Sequence, residues 1–215
     1  MYKKVLAAMA LASGIVSAHA SVLLSQNFDS VPGLTSSGWV ITNNSTPGTL
    51  VQPWVQGDST ILTARSGSAE SYIAANYGIA ADGGTLDAWL ITPTFSTENA
   101  VTISFWVLGA NDAGYSDHFS YGVSTGSSDV GDFIMSAIIT ANVDGWTQYT
   151  LDLAGLGAGS VGRFAIQYSG EASLSNYLGV DDFSVSSADV PEPATWALVG
   201  ISLLGLGIAR RRAQR

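Results

Sequence analysis

The chain has 215 residues, 47% hydrophobic and only 12% charged, with a formal net charge of −9. Six of its eight basic residues (Lys3, Lys4, Arg210, Arg211, Arg212 and Arg215) lie near the ends, so residues 21–188 set two arginines, Arg65 and Arg163, against fifteen acids, a formal −13. That sign repels a phosphate backbone and excludes nucleic acid as a partner, and the lack of any cysteine excludes disulfides, thiolate catalysis and cysteine-based zinc sites.

The chain opens with Met1-Tyr2-Lys3-Lys4, an apolar run over residues 5–16 and Ser17-Ala18-His19-Ala20. Basic, apolar and small-residue segments in this order form a secretory signal peptide. Residues 1–20 are therefore expected to be cut off by signal peptidase after Ala20 as the chain is exported. Residues 21–188 remain as one domain, long enough for a core of its own.

Through this domain the dominant signal is alternation broken by turns. Polar clusters at 43–48, 124–128 and 155–160 mark loops. Between them, Val101-Thr102-Ile103-Ser104-Phe105-Trp106-Val107 places every odd residue on an apolar face, and the two-residue period recurs in 119–123, 149–153 and 164–168. No long stretch carries a helical period. Many short strands with polar turns predict an all-β fold, a two-sheet antiparallel jelly-roll sandwich.

One strand breaks its own rhythm. In Leu178-Gly179-Val180-Asp181-Asp182-Phe183-Ser184-Val185, Leu178 and Val180 share one phase, whereas Phe183 and Val185 share the other. A period of two changes phase only by gaining a residue, so Asp181-Asp182 is expected at a β-bulge. Adjacent carboxylates repel unless a positive charge lies between them. With so few arginines, calcium, a hard cation that takes six to eight oxygen ligands, is the expected partner.

Aromatics are numerous: Trp39, Trp54, Tyr72, Tyr77, Trp89, Trp106, Tyr115 and Trp146. Most should be core, Trp89 above all. Trp106 instead falls on the Thr102 and Ser104 face of its strand, where an exposed indole would stack on a sugar ring, which makes it the candidate glycan-binding residue. His118 is the one histidine after Ala20, and no Gly-x-Ser-x-Gly elbow accompanies it. No catalytic residue is expected, although fifteen acids leave open a carboxylate pair for glycoside hydrolysis.

The chain closes with Val190-Pro191-Glu192-Pro193, an uncharged run over 194–209 and Arg210-Arg211-Arg212. As a helix the run would span about 24 Å, and flanking residues make up the shortfall against a hydrocarbon core of about 30 Å. The arginines set its end in the cytoplasm. The tail resembles the PEP-CTERM sorting signal, whose parts are a Val-Pro-Glu-Pro motif, a transmembrane helix and an arginine-rich end. That resemblance implies an exosortase as processing partner, membrane attachment through residues 189–215 that is transient or lasting, and a destination at the cell surface or in an exopolysaccharide matrix or biofilm.

A second resemblance covers most of the domain. Asn27-Phe28-Asp29 with Gly38-Trp39, then 86–93 (Leu-Asp-Ala-Trp-Leu-Ile-Thr-Pro), 101–107, 117–125 and 178–185 follow the order of the choice-of-anchor J group, related to cleaved-adhesin and MAM-like jelly rolls. Such jelly rolls often hold a structural calcium between first and last strands, which implies Asp29 beside Asp181 or Asp182 as its ligands. The expected function is a non-enzymatic structural or adhesive surface component. The alternatives are a module that binds matrix polysaccharide and a polysaccharide hydrolase.

Overall fold

The computed structural model describes residues 21–187. The expected signal peptide (1–20) and sorting segment (189–215), with its motif at 190–193, helix at 194–209 and arginines at 210–212, lie outside the described residues. Among those described, no helix is long and apolar enough to cross a membrane.

In chain order the strands are β1 (Ser21–Gln26), β2 (Val40–Asn43), β3 (Thr46–Gly48), β4 (Val55–Gln56), β5 (Ile73–Asn76), β6 (Ala80–Ile91) and β7 (Phe95–Ser96). They continue as β8 (Val101–Gly109), β9 (His118–Ser124), β10 (Ile134–Met135), β11 (Ile139–Thr140), β12 (Thr147–Leu153), β13 (Val161–Glu171) and β14 (Tyr177–Ser187). One sheet runs β12-β8-β14-β5-β4 with β1 also on β14; the other runs β10-β9-β13-β6-β2, with β11 on β9, β3 on β6 and β7 on β13. All these pairings are antiparallel, as the sandwich prediction requires.

The alternation read from the sequence sets which side of each strand is buried. On β8, Val101, Ile103, Phe105 and Val107 are buried, whereas Thr102, Ser104 and Trp106 face outward. The inward faces of both sheets meet in one core that includes Phe28, Trp39, Ile103, Phe105, Phe164 and Phe183. Each such side chain contributes about 1.5–3 kcal/mol when removed from water, so a one-residue slip of a central strand would turn that contribution outward.

The predicted bulge is present. Asp181 pairs with Trp106 and Ser184 with Ser104, so β14 advances three residues where β8 advances two. Leu178, Val180, Phe183 and Val185 consequently all reach the same core. Asp182 absorbs the extra residue with φ 46°, the left-handed region that aspartate tolerates better than most residues. On its other edge β14 changes neighbour at the same place, pairing with β5 over Tyr177–Val180 and with β1 over Phe183–Ser187. The long connection between β4 and β5 enters at this break.

Trp89 is buried as expected, but outside the inter-sheet core. It packs against Phe133 and Ile91 on the outer face of the larger sheet, and its indole N–H donates to Asp87 Oδ1 at 2.6 Å.

Candidate functional site

At the β14 bulge the expected metal site is built differently from the reading above. Asp181, fully buried, accepts the backbone N–H groups of Arg65 (2.8 Å) and Ser66 (3.3 Å) on one oxygen and that of Asp182 (2.6 Å) on the other. Asp182 accepts the Ser66 hydroxyl (2.7 Å) and the Arg65 guanidinium. Both carboxylates therefore face hydrogens, which present positive charge to the same lone pairs a calcium ion would need. Asp29 accepts from Asn27 at 2.7 Å and has its other carboxylate oxygen beside Gly67, the residue after Ser66. Among the described residues no three acidic or histidine side chains gather as a metal-ligand cluster. In this arrangement the positive charge beside Asp182 is that of Arg65.

Arg65 also decides the fate of Trp106. Its guanidinium lies 3.8 Å from the centroid of the indole, a cation–π contact. The face expected to stack on a sugar is thus covered by the protein itself. Trp106 belongs to a clamp, Asp182–Arg65–Trp106, that fastens the β4–β5 connection to the last strand. Burial, opposed by the three N–H donors, raises the Asp181 pKa from 3.8 to about 6.

A second arrangement, which the sequence reading missed, lies elsewhere on the domain. A cleft of about 370 Å³ opens between the turn that follows β5, the start of β6, the β8–β9 loop and the 3-10 turn Ala172–Leu174. Tyr77 and Tyr115 line it with about half of each residue exposed, Asp82, Asp112 and Asn176 supply polar groups, and the small buried Ala80 and Ala172 leave room between them.

Each tyrosine is positioned by its backbone, which leaves the ring free. Asn76 caps the turn by accepting the Gly78 N–H at 2.8 Å, and the Tyr77 N–H donates to the Asn176 carbonyl at 3.0 Å. The Tyr115 N–H closes a turn on the Asp112 carbonyl (3.2 Å), with Gly114 at φ 94° supplying the left-handed step that a side chain would resist. Ser116 N–H then donates to Leu174 O at 2.8 Å, which ties this loop to the 3-10 turn.

Behind the cleft one buried carboxylate joins these pieces. Asp117, 2% exposed, accepts the Tyr168 hydroxyl (2.6 Å) and the Asn176 N–H (2.9 Å) on one oxygen and the Tyr177 N–H (3.1 Å) on the other. Burial raises the Tyr168 pKa, and the negative charge of Asp117 raises it further, so the phenol remains a donor. His118, the next residue, points to the outer face of the larger sheet. It lines a separate hollow with Asp87, Gln167 and Ser169 and makes no side-chain hydrogen bond among the described residues.

Two exposed aromatic rings beside carboxylates that have no cationic partner among the described residues suit a ligand with both an apolar face and hydroxyl or amine donors. The signal that could have found these tyrosines was their setting. Asn76-Tyr77-Gly78 and Asp112-Ala113-Gly114-Tyr115 are turn sequences, and an aromatic in a turn lies at the surface more often than in a core.

Comparison with known families agrees with the fold. The model of the Cleaved Adhesin Domain matches residues 22–145. The chain belongs to this family. The PEP-CTERM protein-sorting motif matches residues 189–212, which marks this cleaved-adhesin protein as exported, directed to the surface or a membrane anchor, and a client of exosortase-type sorting machinery. Among solved structures it is similar to the K1 cleaved adhesin domain of Lys-gingipain from Porphyromonas gingivalis W83, at 19% identity and a TM-score of 0.59 over 79% of this chain and all of that one. The K2 domain of Lys-gingipain aligns at 22% identity and a TM-score of 0.55, over 77% of this chain and 99% of that one. At such identities the likeness concerns the fold. No curated protein sequence matches the chain.

Proposed function

We propose that this cleaved-adhesin domain is a non-enzymatic adhesive module of the cell surface or exopolysaccharide matrix, and that it holds carbohydrate in the Tyr77–Tyr115 cleft. The observation that carries this reading is the pair of half-exposed tyrosine rings from two separately anchored loops. A sugar ring presents axial C–H groups on one face and hydroxyls around its edge. Tyrosine stacks on the first, while Asp82, Asp112 and Asn176 accept from or donate to the second. The membership of the family, whose name denotes adhesion, and the sorting motif support the placement at the surface.

The rigid anchoring of both loops favours modest affinity with little ordering cost, as suits a module that acts in many copies on a polymer. A glycan array probed with the purified full chain tests the reading. Binding is expected, and the double substitution Tyr77→Ala, Tyr115→Ala is expected to abolish it while the melting temperature changes little. Glycan binding that survives the double substitution, or no binding to any glycan, would refute the proposal.

A further inference from the structure

Resting on that reading of the cleft, we infer that the carbohydrate it selects carries free amines, as in a partly or wholly de-acetylated hexosamine polymer. The argument starts from charge. Asp82 and Asp112 both line the cleft, and among the described residues the one salt bridge is Arg65–Asp182, so neither cleft carboxylate is paired with a cation. The domain's two arginines are committed elsewhere. Arg65 is held by Asp182 and Trp106, and Arg163 donates to the carbonyls of Thr92 (2.7 Å), Gly126 (3.1 Å) and Gly38 (3.4 Å).

A ligand entering the cleft thus meets two carboxylates and no positive charge from the described residues. An acidic sugar such as a uronate is repelled, and a neutral sugar gains only hydrogen bonds and stacking. A sugar with an ammonium in place of one hydroxyl adds a charge-assisted hydrogen bond to a carboxylate, and its charge is attracted by the tyrosine faces as well. Both features of the cleft, aromatic and acidic, then act on one ligand. A basic peptide would satisfy the carboxylates but presents flexible chains in place of a rigid ring with a C–H face to cover the tyrosines.

The experiment compares three hexamers of the same backbone that differ at one carbon of each unit: a chitosan hexamer with free amines, a chitin hexamer with acetylated amines and cellohexaose with hydroxyls. Calorimetric titration into the purified full chain is expected to give about tenfold tighter binding of the amine form. That preference should shrink as salt is added, and it should vanish above the amine's own pKa, where the neutral forms are unaffected. Asp82→Asn and Asp112→Asn should each reduce the ratio of amine-form to cellohexaose affinity, and together bring it to one. Tyr77→Ala should weaken all three.

Equal affinity for the three hexamers, with the tyrosine dependence intact, would overturn the amine inference and leave the carbohydrate reading standing. Failure of all three to bind would overturn the inference, and the glycan array would then decide the broader reading. Lysine hexapeptide binding as tightly as the amine hexamer would overturn the inference in favour of a basic peptide.

Discussion

Removing the carboxylate of Asp117 should destabilise the domain and loosen the cleft together. Asp117→Ala removes the acceptor of three donors: the Tyr168 hydroxyl, which also has the Ser175 hydroxyl within reach, and the N–H groups of Asn176 and Tyr177. A buried unsatisfied donor costs about 1–3 kcal/mol, and the sum is reduced because the hydroxyl can rotate and the space left can admit water, so about 3–4 kcal/mol is expected. For a domain of this size that lowers Tm by about 10 °C. Asp117→Asn keeps the shape and one good acceptor, and should lose about 1–2 kcal/mol. Urea denaturation followed by tryptophan fluorescence measures both, with Asp112→Ala, an exposed acid without such partners, as a control expected within about 0.5 kcal/mol of the unaltered protein. Because Asn176 holds Tyr77 and Ser116 tethers the loop of Tyr115, glycan affinity should also fall in Asp117→Ala below its melting range. A loss of stability under about 1 kcal/mol would refute the assignment of Asp117 as the acceptor that joins these segments.

The buried Asp181 predicts a pH signature. Folded, its carboxyl keeps a proton up to about 6, whereas unfolded it loses it near 3.8. Folding therefore takes up a proton between these values, and the stability this group contributes is full below 3.8 and lost as pH rises through about 6. The stability of the unaltered protein relative to Asp181→Asn should decline across that window, and a difference that stays flat or rises with pH would contradict the assignment. For the clamp on the last strand, Arg65→Ala should cost about 1 kcal/mol, since it removes a partly exposed ion pair and a cation–π contact. Chelator should leave Tm unchanged in the unaltered protein. A calcium-dependent rise in its Tm would show that the carboxylates at the bulge do bind the ion.

Much of this architecture was legible in the residues alone, because a strand's alternation is local. Val101 to Val107 announces which side chains go inward, and the phase change across Asp181-Asp182 announces a bulge, since a chain of fixed period cannot place Val180 and Phe183 in one core otherwise. The tail motif, too, is a contiguous pattern. What those residues meet is not local. That Asp182 meets Arg65 depends on where the β4–β5 connection returns to β14, and that same return covers the Trp106 face that alternation correctly placed outside the core. Tyr77, Asp82, Tyr115 and Asn176 come from distant parts of the chain and become a cleft only when Asp117 gathers their loops. The sequence by itself determined strands, register break, charge and sorting address, all carried by neighbours along the chain. Tertiary structure alone decided which side chains share a site, because hydrogen-bond partners are chosen by the closure of loops whose lengths and compositions do not name their destinations.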